Sequence, residues 1–273
     1  MKKLQIIFLN YLIKLKLSMN SVIKTTILGC GSSGGVPRID GDWGVCDPNN
    51  VKNIRSRCSI LVERVTNDKK TVVLIDTSPD MRQQLLKAGV TNLDAVLYTH
   101  DHADQSGGID DLRVFALRKR ERVNVYLDKD TASRLIPRFN YCFKSGEKHG
   151  YPSILSENII DPYKELIISG PGGEISFTPF LQHHGSIFSL GFKYSNIAYS
   201  SDVVDFPDKS LNYLSNLDYW IVDALRVTPH PTHAHLDKTL QWIKDFNCKN
   251  ALLTNMHIDS CLLYTSPSPR DVE

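Results

Sequence analysis

An apolar run, Leu93-Asp-Ala-Val-Leu-Tyr-Thr99, leads directly into His100-Asp-His-Ala-Asp-Gln105, placing two imidazoles and two carboxylates within five positions. The run reads as a buried strand, and the polar cluster as the loop at its carboxyl end. In such a loop side chains can converge on an ion without a helix fixing their directions. His100 and His102 are two apart, so in an extended segment they share a face that Asp104 continues. One His-x-His on its own reads equally well as a solvated loop. The other histidines weigh against that: of nine, eight fall in four short clusters, His100/His102, His183/His184, His230/His233/His235 and His257, and His149 stands alone.

A chain of 273 residues with 41% hydrophobic and 23% charged residues describes an ordinary globular chain able to bury a large core. The expected division is a hydrolase domain over 19–259, an amino-terminal extension over 1–18 and a disordered or non-native tail over 260–273. The formal net charge of +2 supplies no field that argues for nucleic acid. Six cysteines (Cys30, Cys46, Cys58, Cys142, Cys248, Cys261) form no Cys-x-x-Cys pair, which points to reduced thiols and a cytoplasmic protein. A small zinc site on Cys46 and Cys58 lacks the further ligands it would need. The first eighteen residues imitate a signal peptide, but Lys14 and Lys16 interrupt the apolar centre and no small-x-small site follows. The stretch is too short to span a bilayer, so no integral membrane span is expected; Met19 is a candidate start, and an amphipathic surface anchor is the functional alternative.

The rest alternates short β runs with helical ones. Strands are expected over 22–28, 59–65, 72–75, 95–98 and 124–127, then over 175–182, 188–193, 197–200, 219–222 and 251–254. Helices are expected over 81–88 with Ser78 or Asp80 as cap and Gly89 as stop, 112–120, 129–143 with a break at Pro137, 210–216, and 236–246 with Leu236, Leu240 and Ile243 on one face. Residues 145–173, rich in glycine and proline, read as a long irregular insert and candidate lid. Periodicity alone says α/β. Gly29-Cys-Gly-Ser-Ser-Gly34 is a literal G-x-G-x-x-G after a strand, but Gly35-Val-Pro37 follows where a dinucleotide site needs a helix. What survives is a loop whose backbone N–H groups could bind phosphate oxygens.

Further motifs follow in order: Thr26-Ile-Leu-Gly-Cys-Gly-Ser-Ser-Gly-Gly-Val-Pro37, Asp76-Thr-Ser-Pro-Asp80, Gln182-His-His-Gly185, Tyr199-Ser-Ser-Asp202 and Thr254-Asn-Met-His257. With the histidine cluster they resemble the metallo-β-lactamase superfamily, in the branch that contains ribonuclease Z and the phosphodiesterase PhnP. Gly107-Gly-Ile-Asp-Asp-Leu-Arg113 and His230-Pro-Thr-His233 look most like PhnP. The resemblance implies a four-layer αββα sandwich. It also implies a first metal on His100, His102 and His184, a bridging Asp202, and a second metal on Asp104 and His257. His183 competes with His184, which is preferred because it directly precedes Gly185. Mixed imidazole and carboxylate donors suit Zn²⁺ or Mn²⁺. Two such ions would lower a water pKa and polarise a phosphoryl oxygen. Asp104 and His233 are the expected catalytic residues, His233 as general acid with His235 in reserve. Asp76 is expected to anchor backbone or a ligand, and His230 and His149 to lie at the surface.

Gln105 departs from the superfamily pattern, which has histidine there, so the second ion is expected to bind weakly. The implied activity is metal-dependent hydrolysis of a small phosphate ester, cyclic esters included. A ribonuclease Z-like nuclease and a non-catalytic module with a degraded second site are the alternatives. Nucleic acid is the less favoured partner. No motif encodes the oligomeric state, a homodimer being one admissible outcome.

Overall fold

The computed structural model describes residues 12–18, 20–145 and 152–261. His149, Met19, the first eleven residues and the tail from 262 on lie outside them. The chain divides into two compact units, one of Tyr11–Leu28 and Ser59–Pro179, the other containing Gly29–Cys58 and the described residues from Phe180 on.

The first unit is built on a seven-stranded sheet in sequential order. Its strands are β1 (Leu12–Ser18), β2 (Ser21–Gly29), β3 (Ser59–Thr66), β4 (Lys69–Ile75), β5 (Ala95–Leu97), β6 (Val123–Leu127) and β7 (Leu155–Ile159). β1 pairs antiparallel with β2, and β3 with β4, whereas β4 to β7 run parallel. β1 lies within the stretch read as an extension. Ile13 is buried between exposed Leu12 and Lys14, and Lys16 is also exposed, the period of two that a half-buried strand requires. The lysines that spoil a signal peptide are thus the outward residues of a strand.

Between the strands lie α1 (Met81–Ala88), α2 (Ala103–Ser106), α3 (Arg113–Lys119), α4 (Lys129–Arg138) and α5 (Asn140–Phe143). α1 has the expected bounds. It buries Met81 and Leu85 and ends on left-handed Gly89. Asp80 takes the N-cap position without a side-chain cap bond, and Ser78 Oγ accepts from the Asp80 N–H instead. The Asp128 carboxylate caps α4 by accepting from the Thr131 N–H at 2.8 Å. Pro137 is tolerated in its last turn, and Phe139 separates α4 from α5. The core gathers Leu74, Val96, Tyr98, Ile109, Leu112 and Leu135, all buried. The reading of 145–173 as an irregular lid is corrected. β7 and β8 (Leu166–Ile168) lie within it and are paired, β7 on β6 and β8 on β9 (Ile175–His184).

The second sheet runs in the order β13-β12-β11-β10-β9-β8, with β10 (Ile187–Tyr194), β11 (Ile197–Ser200), β12 (Tyr219–Asp223) and β13 (Asn250–Thr254). β11, β12 and β13 are parallel. The expected helix over 210–216 is the single turn α6 (Asp208–Leu211), after which the chain turns through left-handed Asn216. α7 (Leu236–Asp245) brings Trp242 to 4.9 Å from Phe206 and 6.4 Å from Trp220, ring centre to ring centre. Its expected apolar face, Leu236, Leu240 and Ile243, is half-buried, and the fully buried position is Thr239, whose hydroxyl donates to the Asp223 carbonyl at 2.6 Å.

In each unit the parallel strands deliver the polar motifs at their carboxyl ends, where open α/β sheets gather ligand-binding groups. Asp76 follows β4 and His100 follows β5. In the other unit Asp202 follows β11, Asp223 ends β12 and His257 follows β13. The turn after α2 packs tightly. A Cβ at Gly108 would stand 2.3 Å from the Ser78 carbonyl oxygen, and the Gly108 N–H donates to Thr77. Gly108→Ala is expected to cost about 1–3 kcal/mol as overpacking against backbone. Urea unfolding measures this, and an unchanged midpoint would contradict the close approach.

Candidate metal centre

In the first unit, the motif loop is fixed from two sides. The Asp76 carboxylate is fully buried and accepts from the Thr99 N–H at 2.8 Å and from the Thr99 hydroxyl at 2.9 Å. With its proton committed to Asp76, Thr99 Oγ1 accepts from His100 Nδ1, 3.0 Å away. That leaves Nε2 as the donor atom of His100. Asp76 is therefore a carboxylate that orients a histidine, as expected. Asp101, 4% exposed, accepts from Arg134 Nε at 2.7 Å and Arg138 Nη2 at 3.2 Å, while Arg138 Nη1 donates to its carbonyl. The acid between the two histidines thus holds the loop to α4. His100 and His102 meet edge to face with ring centres 4.5 Å apart. Asp104 sits in the first turn of α2 and accepts from Gln105 Nε2 at 3.4 Å.

In the second unit, ligand atoms of His184, Asp202 and His233 lie within 4.8 Å of one another. His184 Nδ1 donates to the Thr232 carbonyl at 2.9 Å, which turns Nε2 toward Asp202, 4.0 Å from Oδ1. That separation is too long for a hydrogen bond. It lies within the span of two atoms that each ligate one ion at ~2 Å. Asp202 is buried in a left-handed conformation (φ 54°), and its carbonyl accepts from Ser189. His183 is placed differently: its backbone pairs with Asp205 and Val204, and its ring lies 4.9 Å from Phe188.

His233 donates from Nδ1 to Asp223 Oδ2 at 2.7 Å, and its ring meets His184 at 4.7 Å. Asp223 is fully buried and also accepts from the Val203 N–H at 3.1 Å. The motifs do not name Asp223, although its place at the end of a parallel strand, like Asp76 and Asp202, is a signal that could have found it. His235 is the N-cap of α7, with its carbonyl accepting from the Thr239 N–H, and is not in the group. His230, expected at the surface, is half-buried 5.2 Å from His233. Burial, and then the neighbouring His233, lower its pKa.

His257 follows β13 with Nδ1 on Asp259 Oδ2 at 3.0 Å and Nε2 against Arg38 Nη2. Burial lowers its pKa, Asp259 opposing and Arg38 reinforcing the shift. The donor sets answer differently to the two ions the superfamily implies. Buried His184 and Asp202, oriented on one point, suit a borderline or hard divalent cation. His257 does not suit a second one, because its Nε2 lone pair is spent on a guanidinium. A divalent ion at that atom would meet the guanidinium's like charge.

Several N–H groups of the glycine loop are already committed to backbone carbonyls. The Gly31 N–H donates to Ser56 and the Ser32 N–H to Met256, and a Cβ at Gly31 would stand 2.8 Å from the Arg55 carbonyl oxygen. Its glycines serve close backbone packing. All six cysteines are free and buried. Cys46 lies against Arg55 and Cys58 against Gly31 and Thr254. Among the described residues no helix is long and apolar enough to cross a membrane.

Comparison with known proteins places this geometry. The family model for the beta-lactamase superfamily domain matches residues 71–258. The crystal structure of a diphosphatase from the PhnP family is 30% identical, covers 90% of this chain and 91% of its own, and superposes with a TM-score of 0.79. Zn²⁺-bound PqqB from Methylobacterium extorquens, 15% identical, covers 86% of this chain and 90% of its own with a TM-score of 0.64, a likeness of fold. An octanoyltransferase of Porphyromonas gingivalis (strain ATCC BAA-308 / W83) is 29% identical over 235 residues, 86% of this chain; the chain spans 46% of that relative's length. Two mixed sheets, a family model over most of the chain and a near-complete match at 30% identity lead to one conclusion: the chain has the α/β metallo-β-lactamase fold and belongs to the β-lactamase superfamily, made up mostly of metal-dependent hydrolases, in its PhnP-like branch.

Proposed function

We propose that the chain is a metal-dependent phosphodiesterase acting on a small phosphate ester, cyclic esters included, with His233 as its general acid. The observation that carries this reading is the position of His233. Its Nδ1 is tied to buried Asp223 at 2.7 Å while its ring stands edge-on to His184, beside Asp202. The diphosphatase relative supports a phosphoric ester or anhydride as the substrate class. The formal net charge of +2 favours a small ester over RNA.

In this reading the imidazoles that the resemblance implies would hold a Zn²⁺ or Mn²⁺ ion, with Asp202 as a further oxygen donor. When bound, the ion supplies a lowered water pKa and a polarised phosphoryl oxygen. The chain's own residues do the rest. Asp76 through Thr99, and the Thr232 carbonyl, fix the tautomers of His100 and His184. Asp104 is the carboxylate proposed to meet the attacking water. Asp223 keeps a proton on His233 Nδ1 and stabilises the imidazolium. As the bond from phosphorus to the leaving oxygen breaks, the Nε2 proton passes to that oxygen and the ring becomes neutral. Because His233 also falls within reach of His184 and Asp202, a second reading makes it a metal ligand.

His184→Ala is expected to lose the bound ion and the hydrolysis of bis(p-nitrophenyl) phosphate together while the fold persists. Metal analysis of the purified variant beside wild type checks this, and full activity with half the metal or less would remove His184 from the site.

His233→Ala separates the two readings. As a general acid it should cost about 10²–10⁴-fold in turnover of alkyl esters, less for p-nitrophenyl esters, with metal retained. Metal loss, or equal losses for both leaving groups, would point to a ligand. Asp223→Asn should cost about 10–100-fold with the same leaving-group dependence; a variant as active as wild type would show that the Asp223 contact does not orient the acid.

A further inference from the structure

His257 and Arg38 form a contact that the surrounding chain holds in place. Arg38 Nη2 can only donate, so His257 Nε2 accepts and carries the lone pair, which leaves Nδ1 to face Asp259. Arg55, 2% exposed, braces both partners. Its Nη2 donates to the carbonyls of His257 at 3.2 Å and Ser260 at 2.7 Å. Its backbone exchanges two hydrogen bonds of 2.9 Å with Val36, two residues before Arg38. The Arg38 N–H and carbonyl close a turn onto Asp42 and Gly41. The Arg38 side chain lies over Gly34, where a Cβ would stand 3.3 Å from its Cγ. The Arg38 side chain remains 40% exposed, and its Nη1 lies 3.7 Å from the Asp42 carboxylate.

Position 105 independently points the same way. The sequence places a glutamine where the superfamily motif has an imidazole, and the amide donates to Asp104, a residue expected to hold the second ion. One expected donor of that ion faces a fixed cation, and another is replaced by an amide.

We infer that Arg38 takes the part of the second cation: the chain works with one metal ion, and the Arg38 guanidinium binds a non-bridging oxygen of the substrate's phosphate. Arginine suits this task. Its planar fork presents five N–H donors, and after the contact with His257 several remain for a phosphoryl oxygen pair. The charge is permanent, so it does not depend on the supply of a weakly held ion. The inference rests on the phosphodiesterase reading and adds to it the count of ions and the residue that recognises the phosphate.

The test uses the full-length protein saturated with Zn²⁺, with inorganic phosphate as the probe. Ions per chain are counted by plasma mass spectrometry after dialysis, and phosphate affinity is measured by calorimetry. The expected result is one tightly held ion in wild type. Arg38→Met should hold the same ion and bind phosphate at least about 10-fold more weakly, and Arg38→Lys, which keeps the charge without the fork, should fall between. Arg38→Lys carries the comparison if the methionine variant does not fold. Two ions of similar affinity in wild type would overturn the inference, as would phosphate affinity unchanged in Arg38→Met, or in Arg38→Lys when that variant stands alone. Wild-type protein that holds no ion and hydrolyses no diester would overturn the phosphodiesterase reading as well. One ion and full hydrolysis with Arg38 indifferent would overturn the inference alone.

Discussion

Fixing an imidazole through its Nδ1 nitrogen is the interaction on which the rest of the site depends. A neutral ring offers one lone pair, and it is useful to an ion or a proton only if the other nitrogen is held elsewhere. His100 is held by Thr99 and through it by Asp76, His184 by the Thr232 carbonyl, and His233 by Asp223. Both carboxylates are fully buried, which is costly for a charge without compensating donors. Asp76 receives two hydrogen bonds from Thr99, and Asp223 receives one each from Val203 and Asn255 besides that from His233. Two of those donors, the N–H groups of Thr99 and Val203, lie just past the carboxyl ends of the parallel strands β5 and β11. Sheet direction, buried acid and oriented histidine therefore form one chain of cause in each unit.

Much of this was legible from residue order. The strand before His100 and the period-two spacing of His100 and His102 follow from local pattern, as do helix 81–88 with its terminal glycine and strands 197–200 and 251–254, all nearly at their observed bounds. Such features depend on neighbours a few positions apart, which a sequence displays. What escaped depends on distant partners. Asp223 and His233 are ten residues apart, and Arg38 meets His257 across 219. No local pattern marks Arg55 as the buried brace between them. β1 is hard to read because lysines alternating with apolar residues fit an interrupted signal peptide as well as a half-buried strand. β7 and β8 were hidden by the glycines and prolines around them, although a strand at a sheet edge tolerates such flanks.

The arrangement also bears on how charge is distributed around the proposed reaction. A phosphodiester brings negative charge, and two-ion hydrolases meet it with two cations. Here one oriented set of imidazole and carboxylate donors coexists with a braced arginine. A guanidinium and a metal ion differ in kind: the arginine stabilises charge and orients oxygens, but it cannot lower a water pKa as an ion does. Activation of the nucleophile and recognition of the phosphate would then fall to separate groups, one inorganic and one encoded in the chain.

X-ray absorption at the zinc edge of the Zn²⁺-loaded protein tests the central claim, that oriented imidazoles and carboxylate oxygens hold the ion. The expected spectrum has a first shell of nitrogen and oxygen alone at about 2.0–2.2 Å, with the outer-shell scattering of at least two imidazole rings that His184→Ala reduces. Sulfur at about 2.3 Å, or an imidazole count unchanged in His184→Ala, would contradict it.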